Sequence, residues 1–192
     1  MNESDDHSDF GGYPPGSTVA MRILTWREVA QSIGSVCMSF QSLEDALISG
    51  ISYLLKTNDP VIGRIVSAEI SFKTKADLVY SLFCYSGPAA NDVEKLKSLL
   101  SRCFQAEAKR NMIIHSSWSY TDHEPELVLR HKRSSKFKKG YRLSSQEIGA
   151  ENLDAIAEDL NQCARDVIDF LQECFPDYSH NHFALHMEDR NG

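Results

Sequence analysis

Residues Thr25–Lys56 read TWREVAQSIGSVCMSFQSLEDALISGISYLLK, with apolar side chains recurring at Val29, Ile33, Val36, Phe40, Leu43, Leu47, Ile51 and Leu54. A spacing of three and four puts these residues on one side of a helix. The stretch predicts a long amphipathic helix that ends at Asn58-Asp59-Pro60. A second helix is expected from Pro60, a residue suited to a first helical turn, through Ile62, Ile65, Val66, Glu69, Ile70, Lys73, Leu78, Val79 and Leu82. Ser86-Gly87-Pro88 stops it.

The third helix runs from about Ala89 to His115, with Val93, Leu96, Leu99, Leu100, Cys103 and Phe104 as its early apolar face. Beyond it the period changes. Residues 126–130 and 141–143 alternate as short strands, and the stretch between them reads as a hairpin tip. Leu153, Ile156, Leu160, Cys163, Val167, Phe170 and Leu171 then define a fourth long helix before Pro176. The predicted fold is all-α: an antiparallel four-helix bundle with a small β-hairpin inserted before the last long helix. Residues 1–20 read as a disordered tail, 21–176 as one helical domain and 177–192 as a C-terminal tail.

The 192 residues suffice for one domain with a core that needs no cofactor or disulfide. No apolar run is long enough to cross a bilayer, and the first nine residues are acidic where a secretory signal is basic and apolar, so the expected location is the cytoplasm, with no membrane partner. Cys37, Cys84, Cys103, Cys163 and Cys174 form no CxxC pair and are expected to be buried free thiols. His180, His182 and His186 lack the cysteine or HExxH partners of a zinc site, and Glu44, Asp45 and Glu69 lack the Glu-x-x-His motifs of a diiron bundle. No metal site is expected. The net charge is −7, yet residues 130–142 (RHKRSSKFKKGYR) hold seven Lys and Arg and no acid. The rest of the chain then carries 13 basic against 27 acidic residues, a net −14. Such polarisation points to an anionic partner.

On a helical wheel, Leu96, Leu100 and Cys103 cluster within roughly 60°. Glu107, Arg110, Asn111 and Ile114 continue the same arc, with His115 at its border. Charged side chains facing a core cost several kcal/mol unless paired or hydrogen-bonded. They therefore line a cleft, form a paired network such as Glu107 to Arg110 with His115 as a cap, or meet a second subunit. Arg110 and His115 lie about 140° apart on one helix, so two facing copies join them on one substrate atom more readily than one copy does.

The segment Ala108-Lys-Arg-Asn-Met-Ile-Ile-His-Ser-Ser-Trp118 resembles the Arg-Asn-x-x-x-His signature of the HEPN superfamily of small helical bundles. The similarity extends loosely from Phe40-Gln-Ser-Leu-Glu-Asp-Ala-Leu47 to the end of the fourth helix. The resemblance implies a homodimeric, metal-independent endoribonuclease in toxin function, defence or stress response, with an antitoxin or regulatory protein as a further partner. Arg110 and His115 match the family's catalytic pair, and Asn111 the polar position beside the arginine. Some HEPN toxins carry a tyrosine that is a target of regulatory modification two positions after the histidine. Here that position is Ser117.

Such residues suit the chemistry. An imidazole can take the proton of a ribose 2′-hydroxyl as it attacks phosphorus, and a guanidinium can hold the charge gathering on the phosphate oxygens. His115, as base or acid, and Arg110 are the candidates for these roles; Asn111 is expected to orient the imidazole, the ribose or the phosphate by hydrogen bonds, and Glu107 to hold Arg110. Lys132, Arg133, Lys136, Lys138, Lys139 and Tyr141, with Phe137, are candidate RNA contacts, and a solvated hairpin tip is the other reading of that stretch. Trp118 and Tyr120 either stack on a base or pack against the bundle. The rival function is a non-catalytic HEPN-like module that binds nucleic acid, nucleotide or a partner protein.

Overall fold

In a computed structural model of the chain, the described residues are 14, 16–56, 60–121, 124–136 and 140–179. Nearly all of the two expected tails, including His180, His182 and His186, lies outside them, as do Phe137, Lys138 and Lys139. The chain is mostly helical. Its elements are α1 (Thr18–Leu54), α2 (Pro60–Ala68), α3 (Phe72–Tyr85), α4 (Ala90–Ile114), β1 (Ser117–Tyr120), β2 (Val128–Lys136), β3 (Gly140–Ile148) and α5 (Ala150–Cys174). Five helices and a three-stranded sheet stand where the sequence predicts four helices and a hairpin.

The differences have local causes. Helix α1 starts well before Thr25 because Ser17 caps it: the Ala20 N–H donates to the Ser17 hydroxyl at 3.2 Å, and Ala20 is buried. The expected second helix is two helices because Ser71 leaves the helical conformation and its hydroxyl accepts the Thr74 N–H at 3.2 Å, starting α3 afresh. On α2 the apolar stripe also faces the wrong way for the sequence reading: Ile62, Ile65 and Val66 are exposed, and Gly63 and Ser67 are buried. A Cβ at Gly63 would lie 2.5 Å from the Ser52 Cα, so α2 approaches α1 through the one residue that allows it.

Strand β1 was not expected. It pairs antiparallel with β2, Trp118 opposite Arg130 and Tyr120 opposite Val128, and β2 pairs antiparallel with β3, Val128 opposite Ile148 and Arg130 opposite Gln146. Four residues with two aromatics alternate too briefly to announce a strand alone; the β2 edge supplies the hydrogen bonds. Cysteines also divide. Cys103 and Cys163 are buried, Cys174 is half-buried, and Cys37 and Cys84 are exposed, against the expectation of buried thiols throughout. The last two lie on the solvent side of α1 and α3, off the buried stripes.

The chain forms two compact units, residues 1–37 with 109–157 and residues 38–108 with 158–192. In the first, the beginning of α1 contributes Val29 and Val36 to the buried apolar set, the sheet Val128 and Ile148, and α5 Leu153. The turn after β1 is fixed to α1: the Arg22 guanidinium donates to the Thr121 carbonyl at 3.1 Å, and the Thr25 hydroxyl to the Pro125 carbonyl at 2.7 Å.

In the second unit Leu43, Leu47 and Ile51 of α1 are buried with Val79 and Phe83 of α3, Leu96 of α4, and Leu160 and Leu171 of α5. Phe72 sits 5.2 Å from Phe40 and 6.1 Å from Phe104 between ring centroids. A largely buried ion pair joins α1 to α3, Lys75 Nζ to Glu44 Oε1 at 2.7 Å. The Cys103 thiol of α4 stands beside Cys163 of α5, and that neighbour and burial raise it. Packing continues past Pro176. Tyr178 is buried and donates to the Ser49 hydroxyl at 3.0 Å, and the Tyr53 hydroxyl donates to Asp177 at 2.6 Å.

Two stability predictions follow from this unit. Glu44→Ala leaves the buried Lys75 ammonium without its carboxylate and should cost about 3 kcal/mol in urea unfolding, whereas the double change Glu44→Leu with Lys75→Met should cost less than the single one. Burial, and then the bond to Asp177, push the Tyr53 phenol up to about 12. The folded state thus favours the neutral phenol. Its contribution is complete below the ordinary tyrosine value of about 10 and is lost as pH rises toward 12. Tyr53→Phe should flatten the decline in stability over that window.

Candidate functional site

Along α4 the buried stripe is Leu96, Leu99, Leu100, Cys103, Ala106 and Ile113, and Glu107, Arg110, Asn111 and Ile114 are half-buried. On the wheel, Ala106 and Ile113 lie about 60° and 80° to one side of Cys103, and Glu107 and Asn111 about 40° and 80° to the other. The sequence reading carried the Leu96–Cys103 arc straight on. In the structure the apolar stripe drifts sideways to Ala106 and Ile113, Glu107 and Asn111 lie on the other side, and Arg110, about 20° from Cys103, stands half-buried within the arc.

The first unit holds most of the expected site. Arg110 Nη1 donates to the Asn111 side-chain oxygen at 2.9 Å, so two neighbouring residues are tied at the last turn of α4. The helix closes with the His115 N–H on the Asn111 carbonyl at 3.1 Å, which leaves His115 one residue beyond the final helical position, Ile114. Its side chain is exposed, and the imidazole makes no hydrogen bond to another described residue. Within one chain, therefore, Arg110 and His115 are not bonded to each other.

What fixes this end of the helix is an arginine that sequence reasoning placed only in a basic run. Arg130, on the central strand β2, is 5% exposed. Its Nη2 donates to Gln146 Oε1 at 2.8 Å on β3, and its Nη1 to the Ser116 hydroxyl at 3.3 Å. Ser116 in turn donates to the Met112 carbonyl at 2.6 Å. The guanidinium thus reaches from the sheet to the residue after His115. Among the described residues no carboxylate pairs with it, so a buried positive charge rests on neutral acceptors near the candidate imidazole.

His131 is on the opposite face of β2. Its Nε2 lies 2.8 Å from the Ser119 hydroxyl on β1 and its Nδ1 2.8 Å from the Ser145 hydroxyl on β3. A neutral ring offers one donor and one acceptor, so one serine donates to it and the other accepts. Arg130 and His131 had a signal: strand alternation sends adjacent residues to opposite faces. Which face is buried is not written in a run of polar residues.

Of the other expected contacts, Glu107 belongs to the second unit, half-buried. Lys132 is exposed opposite Ser144; Arg133 pairs with Leu143, Lys136 with Gly140 and Tyr141 with Ser135 in the register of β2 and β3. Lys138 and Lys139 lie outside the described residues. Trp118 is half-buried and Tyr120 is 44% exposed, so the two aromatics after the motif differ in surroundings. Among the described residues no three His, Cys, Asp or Glu side chains group as metal ligands.

Arg130→Ala should destabilise the chain by about 2 to 3 kcal/mol through lost packing and orphaned acceptors, and Arg130→Met should recover most of that loss because its stem refills the volume. Equal loss in both variants, read by thermal unfolding, would assign the effect to the hydrogen bonds alone. No protein-family model matches this chain, and neither the curated proteins nor the solved structures contain a match to it.

Proposed function

We propose that the chain is a HEPN-type endoribonuclease that works as a homodimer without metal, its helices forming the antiparallel bundle of that superfamily with the sheet inserted in the chain before the last long helix. The observation that supports this reading best is the end of α4: Arg110 tied to Asn111 at 2.9 Å, with an exposed His115 just past the last helical residue. In the reaction, His115 takes the proton of a ribose 2′-hydroxyl as that oxygen bonds to the adjacent phosphorus. The bond from phosphorus to the 5′-oxygen breaks, the leaving oxygen is protonated, and a cyclic phosphate remains. Arg110 holds the phosphate oxygens in the charged transition state, and Asn111 fixes the guanidinium. Because the two side chains are not bonded within one chain, the Arg110 of one subunit serves the His115 of the other across the two-fold axis.

The resemblance to HEPN toxins extends the proposal to toxin, defence or stress-response activity in the cytoplasm, with an antitoxin or regulatory protein as a further partner. What the described residues add is narrower: no helix among them is long and apolar enough to cross a membrane. A second reading, a non-catalytic module binding nucleic acid, nucleotide or protein through the same surface, is favoured by one observation, the His115 imidazole without a side-chain partner among the described residues.

Purified protein incubated with RNA in excess chelator should cut it, and Arg110→Ala or His115→Ala should each reduce the rate by about 100-fold or more while leaving thermal stability close to wild type. Mixing the two inactive variants should restore about a quarter of the wild-type rate, since half of the dimers then hold one intact site of the two. Equal cutting by all three proteins, or none by any, overturns the ribonuclease reading. Early melting of both alanine variants favours the binding module.

A further inference from the structure

In the first unit, three side chains from two elements form one cluster, a half-buried arginine and two exposed rings. Arg22 and Trp26 are four residues apart on α1, hence on one face of the helix. Tyr120 ends β1, the outer strand of the sheet. The Trp26 and Tyr120 ring centroids are 5.4 Å apart with planes inclined by 47°, and the Arg22 guanidinium carbon sits 5.9 Å from the Tyr120 centroid. Yet Trp26 stays 39% and Tyr120 44% exposed. Two large rings are thus held in place by each other and by a cation, and both keep accessible surface.

We propose that Arg22, Trp26 and Tyr120 are a stacking platform for an unpaired base of single-stranded RNA, an inference that rests on reading the chain as a protein acting on RNA. Every base has a π face, so a fixed aromatic ring takes one with little regard to sequence. The cation carries the argument for a nucleotide over an apolar partner. Arg22 is half-buried, donates one bond to the Thr121 carbonyl and lies against the Tyr120 ring, and no carboxylate among the described residues neutralises it, so the rings sit beside a net positive charge that favours a phosphate-bearing ligand. Position agrees with this. Tyr120 is joined to His115 by Ser116 and the extended strand β1, whose four residues span on the order of 10 Å.

The test uses the full chain carrying Trp118→Phe, which leaves Trp26 as the sole tryptophan. The probe is a 2′-O-methyl oligoadenylate, which binds but lacks the attacking hydroxyl. Trp26 fluorescence should quench saturably with this strand and not with the matching duplex. Tyr120→Ala should weaken binding by about 5- to 100-fold and Tyr120→Phe by no more than about twofold, the ring being what counts. Arg22→Met should weaken binding and reduce its salt dependence. If Tyr120→Ala unfolds, Tyr120→Phe, Arg22→Met and the quench itself still decide.

Unchanged Trp26 emission on saturation with the strand overturns the platform, as does equal quenching by duplex. A shift in sedimentation on Tyr120→Ala with RNA affinity unchanged also overturns it, making the cluster a protein contact. The two readings fail separately. RNA cleavage without Trp26 quenching removes the platform and keeps the ribonuclease; quenching without cleavage by any protein does the reverse.

Discussion

The buried Arg130 guanidinium organises the first unit. It leaves β2, takes Gln146 on β3 as one acceptor and Ser116 as the other, and through Ser116 reaches the Met112 carbonyl near the end of α4. A charge so far from water is costly, and only two of the guanidinium nitrogens find acceptors while Nε has none among the described residues, so the sheet and the helix end are held where Gln146 and Ser116 reach it. That arrangement fixes where α4 stops and where His115 emerges. Without β1 and β2 in register, the polar end of α4 would have no fixed continuation.

The same constraint explains why the helix turns polar without losing its core. Ala106 and Ile113 keep the apolar stripe going, while Arg110 within the arc and Asn111 at its margin are half-buried and bonded to each other. Half-burial spares a guanidinium full desolvation and still limits its freedom. His115, one step past the helix, has none of these restraints on its side chain, and its backbone alone is fixed.

In the second unit small residues set the spacing. Gly63 lets α2 lie against Ser52, and a Cβ at Gly50 would come within 2.9 Å of a Leu171 methyl group. The approach at Gly63 turns Ile62, Ile65 and Val66 outward, because the side of α2 that bears the glycine is the side that can come near. The Lys75–Glu44 pair then locks α3 to α1 at a depth where neither partner is well placed alone.

The sequence by itself determined the long helices: the stripes on α1, α4 and α5 are periodic over many turns, and burial follows them at Leu43, Leu47, Ile51, Leu96, Leu160 and Leu171. It also marked Arg110 and Asn111, which the structure bonds to each other, since polar residues on an apolar stripe are visible in letters; the His115 side chain stands without a bond to either. Tertiary structure alone decided the rest. A four-residue strand such as Ser117–Tyr120 has too few local interactions to exist without a neighbouring edge, and the burial of Arg130 depends on partners at positions 116 and 146, which only folding brings together. For α2, hydrophobicity pointed one way and steric fit at Gly63 the other. Contact distance won, because overlapping atoms cost more than three exposed aliphatic side chains.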